Sequence, residues 1–113
     1  MNKVFIDHYV AQCWGINSKV LNSPAELLKK SKIVTGKLNL TIVNSFTHRF
    51  KPHGLSLILV IAESHLAIHT WPELGYMNVD VLSCSPTSQL INLKMALQEE
   101  FNPQKIESKK ISY

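Results

Sequence analysis

The stretch Glu63-Ser64-His65-Leu66-Ala67-Ile68-His69-Thr70-Trp71-Pro72-Glu73 sets a hydroxyl directly after a carboxylate residue. Two imidazoles, an indole and a second carboxylate follow. They stand just past an apolar run, Leu57 to Ala62, where a core strand would ordinarily close in a simple turn. A metal site would use His65 and His69, which share a face if the segment is helical. Ile68, Thr70 and Pro72 mark it instead as β, where four residues span roughly 13 Å and one ion cannot take both rings. His48 and His53 restore no ligand spacing, so no metal is expected. A serine hydrolase needs its nucleophile on a glycine-flanked turn, with a base and an orienting acid. Gly54-Leu55-Ser56 falls short of that pattern.

Two readings remain open from the residues alone. One is a polar strand end with hydrogen-bonded histidines. The other uses the Glu63–Ser64 peptide bond itself. A serine hydroxyl can attack the preceding carbonyl and turn the amide into an ester. If a base then removes the serine α-proton, the ester is eliminated and the chain is cut. The new N-terminal residue passes through dehydroalanine and an imine, and hydrolysis leaves a pyruvoyl group. That group is an electron sink for decarboxylating an amino acid without pyridoxal phosphate. The chemistry requires a strained, water-poor turn, a nearby base and a later proton donor.

Three separated blocks then carry a resemblance. The first is His48-Arg49-Phe50-Lys51-Pro52-His53-Gly54-Leu55-Ser56, and the second is Glu63 to Glu73. The third is Gly75-Tyr76 followed by Val79-Asp80-Val81-Leu82-Ser83-Cys84. Together, over about residues 45 to 84, they resemble the prokaryotic S-adenosylmethionine decarboxylase proenzymes, with the rest of the chain compatible. The resemblance implies cleavage between Glu63 and Ser64, giving chains 1–63 and 64–113, with Ser64 becoming the pyruvoyl cofactor. It implies that His69 is the base for elimination, that Ser56 assists processing, and that Cys84 returns a proton to the substrate α-carbon. Glu73 would bind ribose hydroxyls, Phe50 would stack on adenine, and Trp71 would offer a second stacking surface. The implied substrate is S-adenosylmethionine and the product the aminopropyl donor for spermidine synthesis. A homodimer with residues of both subunits near each site is implied as well. The alternatives are decarboxylation of arginine or ornithine, as in some relatives, and a partner subunit that never processes. The chain departs from the pattern at Leu57 and Ser85, where glycine is expected, and at Gln12, where a carboxylate is expected.

These residues need a scaffold. At 113 residues, 45% of them hydrophobic and 18% charged, the chain is expected to form one globular domain. A mean hydropathy of +0.02 points to surface covered by a second subunit. The net charge of +4 gathers no aromatic-interleaved basic face: Lys29, Lys30 and Lys32 share a helix, and Lys109 and Lys110 lie apart from them. No nucleic-acid partner is expected. Cys13 and Cys84 make no disulfide framework, the start shows no signal-peptide core, and no run is long enough for a bilayer, so a cytoplasmic protein is expected.

Period-2 and period-3.6 patterns predict the order strand, helix, several strands, helix, strand. Strands are expected over about 3–15, 38–43, 54–62, 65–70, 76–84 and 104–113. Asn22-Ser23-Pro24-Ala25-Glu26 opens the first helix, with Leu27, Leu28 and Ile33 on its apolar stripe and Gly36 as its stop. Ser85-Pro86 opens the second, with Leu90, Leu93, Leu97 and Phe101 inward. Short connections favour antiparallel pairing, hence an α+β fold: a two-layer α/β sandwich with an antiparallel sheet and both helices on one face.

Overall fold

The computed structural model describes residues 4–113. Its elements are β1 (Asp7–Trp14), α1 (Ser18–Leu21), α2 (Pro24–Lys37), β2 (Ile42–Arg49), β3 (Leu55–Ile61), β4 (Ser64–Trp71), β5 (Tyr76–Ser83), α3 (Leu93–Phe101) and β6 (Lys105–Lys110). Single 3₁₀ turns at Pro72–Leu74 and Leu90–Asn92 precede β5 and α3. The strands form one six-stranded sheet in the order β2-β3-β4-β5-β1-β6. Every neighbouring pair is antiparallel, as the short links between β2 and β5 require.

Alternation decides which face is covered. Leu55, Leu57, Leu59 and Ile61 of β3 are buried, while Ser56, Ile58 and Val60 between them are not. Registration places Leu66 and Ile68 of β4, Val79 and Val81 of β5, and Ala11 and Cys13 of β1 on the same face. Helices α2 and α3 close over it with Leu27, Val34, Leu93, Leu97 and Phe101. Each such side chain contributes about 1.5–3 kcal/mol on leaving water. The result is the expected two-layer sandwich. On the other face no element among the described residues covers Ile58, His65, His69, Asn78, Asp80 or Gln12.

Boundaries differ from expectation for identifiable reasons. Helix α2 starts as predicted, with Pro24 in its first turn and Ser23 Oγ accepting the Glu26 N–H at 3.2 Å. It continues through Gly36 to Lys37, and the left-handed residue beyond its end is Asn39, at φ 57°. Ile33 points away from the core, where Ser31 and Thr35 flank Leu27 and Val34 instead. Leu38 and Leu40 are buried in the passage from helix to sheet, and β2 begins only at Ile42. A buried connection alternates in hydropathy much as a strand does. Ser85-Pro86 opens no helix. Ser83 Oγ accepts the Ser85 N–H and the Ser88 hydroxyl donates to the Ser85 carbonyl, so local bonds compete with helix formation until Leu93. Leu90, Leu93, Leu97 and Phe101 are nonetheless all buried, as their spacing predicts.

Candidate active site

Strands β3 and β4 are joined by the turn Ala62-Glu63, with Ile61 paired to Ser64. Glu63 has φ 79° and Ser64 φ 157°, conformations that glycine adopts without penalty and these residues do not. Each stores about 1–3 kcal/mol that the surrounding sheet must offset. The offset comes from β5, because Ser64 faces Ser83 in the β4–β5 ladder and so meets the residue that follows. The Cys84 N–H donates to the Glu63 carbonyl at 3.0 Å, and Cys84 Sγ lies 3.6 Å from Ser64 Oγ. Glu63, Ser64 and Cys84 thus form one cluster. The other cysteine is excluded from such chemistry: burial pushes the Cys13 thiol up to about 12.

The far end of β4 is built differently. Ser56 and His69 are cross-strand partners, and Ser56 Oγ lies 2.6 Å from His69 Nδ1. With Phe50, His53, Trp71 and Glu73 they line a pocket of about 350 Å³. Phe50 stands edge-on to His48 with ring centroids 4.5 Å apart. Glu73 comes from the 3₁₀ turn after β4, and its Oε2 lies 3.1 Å from His53 Nε2.

One side of the pocket is the turn from Phe50 to Gly54, closed by the Phe50 N–H on the Gly54 carbonyl at 2.9 Å. Gly54 has φ 105°, and a Cβ there would lie 3.2 Å from the Thr70 carbonyl oxygen, so glycine is required. The link between α1 and α2 clamps this turn from outside. Asn22 Oδ1 accepts the Gly54 N–H at 3.1 Å, and Arg49 donates to the Asn22 carbonyl at 2.9 Å. Thr70, wholly interior, donates to the Leu21 carbonyl at 2.8 Å and accepts the Leu55 N–H at 2.9 Å.

Phe50, Ser56, His69, Trp71 and Glu73 are therefore brought together, and Glu63, Ser64 and Cys84 are brought together elsewhere. Five residues of extended chain separate Ser64 from His69, roughly 17 Å at the rise of a strand. Within one chain the base expected for elimination does not reach the serine.

Some of the site's surroundings escaped the sequence reading. Strand registers align His48, Ser56, His69, Asn78, Gln12 and Glu107 in a polar row across the uncovered face. Gln12, where a carboxylate was expected, thus faces Glu107, and with Asn78 and Lys109 they border a second pocket of about 360 Å³. Lateral neighbours on different strands leave no spacing signal in the chain. His8 Nε2 and His65 Nε2 flank Asp80 at 2.6 and 3.8 Å. Among the described residues no group of histidine, cysteine or acidic side chains could hold a metal ion.

Comparison with known proteins bears on this arrangement. The family model described as S-adenosylmethionine decarboxylase matches residues 7–112. An S-adenosylmethionine decarboxylase proenzyme of Archaeoglobus fulgidus is 35% identical over 97 residues, covering 86% of this chain and 87% of the relative. One from Thermosipho melanesiensis is 43% identical over 77 residues, which cover 68% of this chain and 59% of that protein. The crystal structure of the adenosylmethionine decarboxylase from Aquifex aeolicus superposes with a TM-score of 0.84 at 27% identity, covering 97% of this chain and 91% of that one. The chain belongs to the S-adenosylmethionine decarboxylase family.

Proposed function

We propose that this chain is a self-processing decarboxylase that takes S-adenosylmethionine to the aminopropyl donor used in spermidine synthesis. The observation that carries the reading is the Glu63–Ser64 bond. In a chain of this family, that bond sits in a left-handed turn with its carbonyl held by the Cys84 N–H and a serine hydroxyl next to it. Ser64 Oγ attacks the Glu63 carbonyl carbon, and the Cys84 N–H steadies the charge that develops on its oxygen. Strain released from the turn favours the ester over the amide.

A pyruvoyl group at residue 64 would supply an electrophilic carbonyl, an electron sink for decarboxylation. The cluster at this turn fits it, since Cys84 Sγ already lies beside the Ser64 side chain. Cys84 Sγ then holds the proton destined for the substrate α-carbon. Phe50 and Trp71 offer stacking surfaces for adenine, and Glu73 accepts hydrogen bonds from the ribose hydroxyls.

His69 Nε2 removes the α-proton of Ser64, with Nδ1 oriented by Ser56 Oγ. Because His69 and Ser64 of one chain lie too far apart, the Ser56–His69 pair of a second copy serves each Ser64. A homodimer that covers the bare sheet face supplies this, and it also answers the apolar balance of the sequence. Among the described residues no helix is long and apolar enough to cross a membrane, and action in the cytoplasm is part of the proposal.

Intact-mass analysis of purified protein tests the reading. Two chains, 1–63 and 64–113, are expected, the second with a blocked, carbonyl-bearing N-terminus. Protein that stays full length overturns it. Release of carbon dioxide from S-adenosylmethionine, and not from arginine or ornithine, is expected of the cleaved protein; the reverse overturns the substrate.

A further inference from the structure

We infer that His53 is a positioning residue that presents Glu73 to the substrate's ribose, an inference resting on the reading of Glu73 as the ribose carboxylate. Glu73 side-chain exposure is 44%, and among the described residues its ion-pair contact is with His53, Nε2 to Oε2 at 3.1 Å. A glutamate this exposed has several rotamers to lose when it takes a ligand. A ring nitrogen that occupies one carboxylate oxygen leaves the other, Oε1, free and aimed.

His53 is itself held in place. It lies between Pro52 and Gly54, and Gly54 is fixed through both its backbone polar groups, by Asn22 Oδ1 and by the Phe50 N–H. His53 and Glu73 together form the wall between the Ser56–His69 pocket and a second hollow of about 450 Å³ lined by Ser18, Lys19 and Asn22. Glu73 swinging free of His53 would have that hollow to enter, away from the substrate. The contact thus acts on binding and leaves the proton chemistry at Ser64 and Cys84 untouched.

The test uses cleaved, mass-verified enzyme with two substrates, S-adenosylmethionine and its analogue with hydrogen in place of both ribose hydroxyls. Wild type should discriminate between them in KM. His53→Ala should raise KM for S-adenosylmethionine about tenfold, the worth of one charge-assisted hydrogen bond. Its kcat should stay within about twofold and its KM for the analogue should not move. His53→Gln, whose Nε2 falls close to the place of the ring Nε2, should restore most of the discrimination. Glu73→Ala should abolish it. If Glu73→Ala keeps the discrimination, the ribose reading and this inference both fail. If Glu73→Ala loses it and His53→Ala keeps it, or raises both KM values alike, the inference alone is overturned.

Discussion

Strand β4 enters through the turn at Glu63, where two non-glycine residues hold glycine-like backbone angles and Cys84 grips the carbonyl between them. It leaves at Trp71 into a pocket whose backbone is pinned by ordinary hydrogen bonds from Asn22 and Thr70. The first end stores strain at one peptide bond, as a rearrangement that happens once requires. The second is relaxed and concave, with an aromatic, an imidazole and a carboxylate converging, as repeated ligand binding requires. The rigid strand keeps the two apart. The proposed reaction draws on both, which is why it is proposed to run between two copies.

Removing the hydroxyl at the strained end should have the largest effect. Ser64→Ala is expected to stay full length and to release no carbon dioxide, with intact mass and a carbon dioxide assay as the readouts. Cleavage of that variant would mean that the scissile bond lies elsewhere.

The relaxed end should respond as structure does. Thr70→Val, made in the uncleaved Ser64→Ala background, strands the Leu21 carbonyl and the Leu55 N–H inside the protein. A loss of about 2–4 kcal/mol is expected from urea unfolding at fixed protein concentration. A smaller loss would show that the clamp on the pocket is weaker than its geometry suggests.

At the strained end the sign should reverse. Glu63→Gly in the same background relieves the left-handed turn and should gain about 1 kcal/mol. In the Ser64-containing chain it should slow cleavage about fivefold, as followed by the appearance of the 64–113 fragment. Faster cleavage would show that strain at this turn does not drive the rearrangement.

The buried thiol of β1 gives the smallest effect. Cys13, pushed up to about 12 by burial, should resist alkylation at pH 8 until the protein is unfolded. Its folded pKa lies above the ordinary 9.0, so the folded state holds this proton more tightly. The stability gained is complete below pH 9 and is lost as pH rises toward 12.

How far this was legible in the chain follows from where the information lies. Local patterns carried the Ser23–Pro24 helix start and the alternation in β5, because each is fixed by neighbours in sequence. Strand β3 is apolar but for Ser56, and which of its faces is covered could not be read from it. Ser64, His69, Cys84 and Glu73 were given their roles by the resemblance and by no local pattern. What could not be read was lateral. The insertion of β1 between β5 and β6 depends on strand pairing, as does the row from His48 to Glu107. The clamp of Asn22 on Gly54 joins residues 32 apart in sequence with no periodicity between them. Gly36 and Ser85-Pro86 misled because both are local signals that tertiary contacts outweigh.

If the two ends of β4 act on each other between copies, subunit complementation will show it. Ser64→Ala chains keep the Ser56–His69 end, and His69→Ala chains keep the Glu63–Ser64–Cys84 end. Each variant alone should remain uncut. Co-expressed with distinguishable tags, the His69→Ala chain should be cut into 1–63 and 64–113 while its Ser64→Ala partner stays whole. Mixed dimers in which neither chain is cut, or His69→Ala chains that cut themselves, would contradict the account.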